Sequence, residues 1–138
     1  MDYRESFFMA KYHLSIIERM VKTYESFPDK RTFLGILNEM NRAVESLIRS
    51  YLCYGGFGGS YDNFDFFNKV GGEYLDVVTR EDLLKTLEIY KAHKISPISY
   101  QKNDQIIIIE GGKYRILTFE RLKNLIISLK KGVLGFPG

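Results

Sequence analysis

The sequence predicts a mainly α protein: a four-helix up-and-down bundle with a small three-stranded β-meander inserted before the last helix. Long segments repeat apolar residues at spacings of three and four, the period of a helix with one buried face. Between the last two of them, Gln105 to Glu110 is a β-branched run bracketed by Asn103-Asp104 and Gly111-Gly112, pairs that suit two-residue hairpin turns. With 138 residues and 45% hydrophobic content, the chain can bury a core without disulfide support, and one domain spanning residues 1–138 is expected.

In the first helix, from about Tyr3 to Ser26, Phe7, Ala10, Leu14, Ile17, Val21 and Tyr24 form one stripe, and Phe27-Pro28 ends it. Asp29 is the N-cap of a second helix whose stripe runs Phe33, Leu37, Met40, Val44, Leu47 and Tyr51. A short turn between two such helices makes an antiparallel pair, and their wide stripes require further helices to cover them. Residues 54–63 break the pattern, because four glycines at positions 55, 56, 58 and 59 cannot hold a helix. After a short helix from Phe64 to Val70, Thr79 with Asp82 reads as a capping box opening a third long helix. Leu83, Leu84, Leu87 and Tyr90 lie along it, and Pro97 stops it near Ser96.

The meander occupies about 98–117. Two-residue turns place Ile98, Tyr100, Ile107, Ile109, Tyr114 and Ile116 on one face, which is wholly apolar or aromatic and is expected to pack inward. The other face then leaves Ile106, Ile108 and Leu117 exposed, more apolar area than a small monomer leaves in water, so these residues are the expected homodimer interface. Thr118 caps the final helix, striped by Phe119, Leu122, Ile126 and Leu129 and closed by Lys130-Lys131-Gly132.

Composition narrows the function classes. The lone Cys53 cannot form an internal disulfide, and the N-terminal residues lack the regions of a signal peptide, so a reducing cytoplasmic setting is expected. Apolar runs fall far short of a membrane span. Neither His13 nor His93 follows a glutamate at the spacing of a di-iron site, and cysteine clusters are absent, so no metal and no cofactor is implied. The glycine cluster at 55–59 lacks the Gly-Lys-Ser/Thr ending and the preceding strand of a phosphate loop, which leaves a nucleotide binder as a minor alternative. Net charge is only +3, but lysines concentrate in the C-terminal third. Lys91, Lys94, Lys102, Lys123, Lys130 and Lys131 are the candidate nucleic-acid contacts; a solvated face is the competing reading.

His93-Lys94-Ile95-Ser96-Pro97, a histidine near a helix end followed by a hairpin with basic and Asn-Asp turn residues, resembles the small helical-bundle proteins of the HEPN class, especially archaeal members of unassigned function. The order of elements extends the resemblance over most of the chain. It implies a bundle that often homodimerises through helical faces and, for some members, a metal-independent RNase. That activity needs an Arg, four to six residues, then His. The positions required before His93 hold Thr86, Leu87 and Glu88, and those before His13 hold Ser6, Phe7 and Phe8. Without the guanidinium, one histidine supplies acid or base but not a fixed cation for the charge that develops on phosphorus. The reading is therefore a non-catalytic, homodimeric accessory or interaction module, open to a protein partner. Its main competitor is a weak RNA-binding or RNA-cleaving protein using His93, with Arg80 or Arg121 completing the pair.

Overall fold

A computed structural model describes residues 2–57, 64–95, 99–102 and 104–138; Gly58 to Asn63, Ser96 to Ile98 and Asn103 lie outside the described residues, and with them parts of the glycine segment, the connection into β1 and the first residue of the Asn103-Asp104 turn. The elements are α1 (Tyr3–Ser26), α2 (Lys30–Tyr54), α3 (Phe64–Gly71), α4 (Val77–Ile95), β1 (Ser99–Gln101), β2 (Gln105–Glu110), β3 (Lys113–Thr118) and α5 (Phe119–Leu134). The long helices form a helical bundle in which α1 packs on α2, α2 on α4, α4 on α5 and α5 back on α1.

The four long helices begin where a side chain satisfies an orphan backbone donor. Asp2 accepts from the Arg4 N–H at 3.0 Å, Asp29 from Thr32 at 2.7 Å and Thr118 from Arg121 at 3.0 Å. The start of α4 corrects the capping box at Thr79. Asp76 is the capping residue, accepting from the Thr79 N–H at 2.7 Å, while Thr79 itself is buried. Bonds from Thr79 hold the Asp76 carboxyl below the usual carboxylate range. Asp82, freed from capping, ties α4 to α5: Ser128 Oγ donates to it at 2.6 Å and Arg121 Nη2 at 3.2 Å.

The core runs the length of α2, whose Phe33, Leu37, Met40, Val44, Leu47 and Tyr51 are fully buried. At one end Tyr24 stacks on Phe119 at 4.4 Å and meets Phe33 edge-on at 5.6 Å. At the other, Phe136 folds back from beyond α5 against Phe7 and Tyr51, with ring centroids 4.5 and 5.0 Å away. The final helix does not close at Lys130-Lys131-Gly132 but continues to Leu134, with Gly135 as its C-cap. Gly132 is instead a site of close approach, where a Cβ would sit 2.6 Å from Leu47 Cδ2. The approach lets the buried Tyr51 hydroxyl donate to the Gly132 carbonyl at 2.8 Å.

In the antiparallel hairpin β2–β3, Ile106 lies opposite Leu117, Ile107 opposite Ile116 and Ile109 opposite Tyr114; the short β1 runs alongside β2. Gly111 and Gly112 turn it with φ of 54° and 79°, and Asp104 adopts φ 52°, a region that Asp tolerates better than most residues. The facing is the reverse of the sequence expectation. Ile106, Ile108 and Leu117 are buried in the bundle core, so they are not an interface, while Tyr114 and Ile116 point outward at 75% and 57% exposure. The cause is the loopless junction into α5. Thr118 is extended at φ −82° and ψ 155°, so Leu117 and Phe119 fall on the same side of the chain, and Phe119 belongs to the core.

Ile108→Ala should therefore cost about 2–5 kcal/mol, the range for emptying a packed aliphatic site. Ile116→Ala should stay within about 0.5 kcal/mol. Urea midpoints of the two variants measure the difference, and equal losses would contradict this facing.

Candidate functional site

His93 sits in the last turn of α4, half-buried, and its Nδ1 is buried without a hydrogen-bond partner among the described residues. Burial pushes its pKa down, and the positive charges of Lys94 and Lys30 push it further. The arginines that could have completed a catalytic pair are committed elsewhere. Arg80 donates to Asn68 Oδ1 at 3.2 Å, and Arg121 pairs with Asp82 at 3.2 Å. Along α4, Arg80 and Asp82 lie about 20 and 16 Å from His93 at 1.5 Å per residue. The imidazole thus faces lysines, whose flexible ammonium groups do not give the planar two-point clamp of a guanidinium.

The candidate lysines do not form one surface. Lys91 and Lys94 line a groove of about 520 Å³ between α2 and α4. Lys123 and Lys130 line another between α5 and α1, where Lys130 lies 3.6 Å from Glu18. These two seams are on opposite sides of the ring of helices. Lys131 acts on Asp76 near the start of α4, and Lys102 closes the β1–β2 turn, its N–H donating to the Gln105 carbonyl at 3.0 Å. A run of basic residues in sequence has been divided by the azimuth of the helices that carry it.

The α2–α4 groove combines apolar and charged side chains. Leu84, Leu87 and Phe64 give it apolar walls, and Lys91 and Lys94 stand toward the α4 C-terminus. Among its polar side chains, Tyr90 Oη donates to Asn38 Oδ1 at 3.0 Å and Asn41 Nδ2 to Glu45 Oε1 at 3.0 Å. Lys94 also rests over the Tyr90 ring at 5.6 Å. The Tyr90 hydroxyl is held as a donor to Asn38, and Glu45 and Glu88 line the same groove with Lys91 and Lys94, so it carries both signs of charge beside its apolar wall. Among the described residues, no three of His, Cys, Asp and Glu converge as metal ligands. No helix there is long and apolar enough to cross a membrane.

A second seam, between α1 and α2, was missed from sequence. Phe8, Met9 and Tyr12 stand outward at 63%, 41% and 49% exposure beside a groove of about 670 Å³. The available signal was that these residues fall off the core stripe of the first helix. Deeper in the same seam, buried His13 meets Glu39, Nδ1 to Oε2, at 2.6 Å.

No family model, no curated protein and no solved structure matches this chain.

The depressed His93 pKa sets a direction for acid sensitivity. Above about pH 6.5 the imidazole is neutral in both folded and unfolded chains. As pH falls, the unfolded chain takes up the proton first, so stability declines from that point down through the lower folded-state pKa. A His93→Asn variant should lose less stability than the unsubstituted protein between about pH 7 and pH 5. Urea midpoints at the two pH values measure it; an equal loss in both proteins would show that His93 is not the acid-sensitive group.

Proposed function

We propose that this protein is a HEPN-like accessory module, an up-and-down bundle with a β-meander, that acts by association as a homodimer and carries no catalysis of its own. The observation that supports the reading is the apolar side chains left in water on organised elements, Phe8, Met9 and Tyr12 on α1 and Tyr114 and Ile116 on β3. The environment of His93 agrees with it, since Lys30 and Lys94 rather than an arginine act on the imidazole. Light scattering across a concentration series should give twice the 16.1 kDa chain mass. Generic single-stranded RNA should survive incubation with the purified protein, and His93→Ala should change nothing. Cleavage that disappears in His93→Ala would overturn the non-catalytic reading.

A second reading, weak nonspecific RNA binding, draws support from Lys91 and Lys94 lining one groove wall a single turn apart. Such binding should fall steeply with salt, and Lys94→Glu should weaken it while Lys130→Glu, on the opposite seam, leaves it nearly unchanged. Filter binding at two salt concentrations measures both; a complex insensitive to salt and to Lys94→Glu would remove this reading.

A further inference from the structure

We infer that the α2–α4 groove binds a free, single-chain alkyl carboxylate, its head at Lys91 and Lys94 and its chain laid along Leu87 and Leu84 toward Phe64. The site is additional to the accessory role above and does not depend on it. Two contacts fix the direction of the groove. Tyr90 bonds Asn38, and Leu83 and Leu47 both close on Gly132, so α4 runs antiparallel to α2. On the other side α3 runs back along α2, with Val70 against Gly55 and Phe67 against Tyr51, which carries Phe64 toward Glu45. The lysines therefore stand at one end and Phe64 with Glu45 at the other.

Which charge the groove lacks follows from which groups are already paired. Glu45 accepts from Asn41 at 3.0 Å, and Glu88 lies 3.6 Å from Lys85. Lys91 and Lys94 meet no carboxylate among the described residues, and Lys94 is held over the Tyr90 ring. A negative head complements that end. The lysine field is felt beyond the groove, since after burial it is Lys94 and Lys30 that hold His93 toward its neutral form.

The wall calls for an apolar body. On α4 the residues turned to the core include Thr79, Thr86 and Ala92, whereas Leu84 and Leu87 stand half-buried in the groove. Thr86 needs no partner from the core, because its hydroxyl donates to the Asp82 carbonyl one turn back at 3.0 Å. The helix thus keeps two of its leucines where a chain can lie on them. A volume of about 520 Å³ falls within the roughly 300–1,000 Å³ of small-molecule sites. From Leu84 to Lys94 the helix rises about 15 Å, room for a medium-length chain rather than a short acid. Half-buried walls also favour a free acid over a lipid surface, which takes up apolar side chains that project into it.

Isothermal titration calorimetry of the full chain with decanoate, kept below its micelle concentration, tests the site, and far-UV circular dichroism confirms that each variant keeps its helices. One decanoate should bind per chain. Decylammonium should bind at least about tenfold more weakly for its charge, and butyrate for its missing chain. Lys94→Glu and, separately, Leu87→Asn should each weaken decanoate at least about tenfold, while Lys130→Glu on the opposite seam leaves it unchanged. Leu87→Asn separates this site from nonspecific RNA binding, which needs the lysines alone. Equal affinity in Lys94→Glu, Leu87→Asn and the unsubstituted protein would overturn the location, and decylammonium binding as tightly as decanoate would overturn the head. Capture of the protein by phosphatidylglycerol vesicles that decanoate does not displace would overturn the free acid in favour of a membrane. Absence of decanoate binding would overturn the site outright and leave the mass and RNA tests of the accessory reading untouched.

Discussion

The tightest constraint on this fold is a single turn residue. Asp104 offers its carboxylate to the Tyr24 hydroxyl at 3.1 Å and its carbonyl to the Phe119 N–H at 2.8 Å, so the end of α1 and the start of α5 are fastened to one point of the hairpin. Tyr24 and Phe119 stack on each other, and both rings also meet the α2 residue Phe33. Moving the turn would unseat three helices at once. The sheet is thereby made part of the bundle rather than an appendage to it, and its inward face is chosen by the same contacts that seat Phe119.

That choice explains where sequence reasoning succeeded and where it failed. The pairing of Ile107 with Ile116 and of Ile109 with Tyr114 followed from turn chemistry, because Gly111-Gly112 fixes which residues stand opposite. Which face turned inward did not follow from apolar content. Both faces carry isoleucines, and Arg115 looks like an objection to burying the face that is in fact buried. The deciding information lay one residue further on, since an extended Thr118 links the orientation of Leu117 to that of Phe119. Helices α1 and α2 were legible because their stripes are long and their caps are local. The Asp76 cap was obscured by Thr79 and Asp82, which imitate a capping box although Asp82 reaches across to Ser128 and Arg121.

The candidate site was less legible, for a different reason. Proximity along the chain made Lys91, Lys94, Lys123 and Lys130 look like one basic zone, but α4 and α5 turn their solvent faces to opposite seams. Conversely, Phe8 and Arg49 are distant in sequence and adjacent in space, a relation that requires knowing how α1 lies on α2. The missing arginine before His93 was legible at once, because a spacing rule within one helix needs no tertiary information.

The contact between Tyr51 and Gly132 has a consequence for how the protein meets alkali. Burial raises the Tyr51 phenol well above its ordinary value, with Tyr74 adding to the effect, so the folded protein keeps that proton under conditions where a free tyrosine surrenders it. Above about pH 10 the unfolded chain releases the proton and the folded chain does not, so stability falls as pH rises. The absorbance of the phenolate at this position would thus be a native reporter of opening. It would stay silent while the α2–α5 contact is closed and emerge only when the core admits hydroxide.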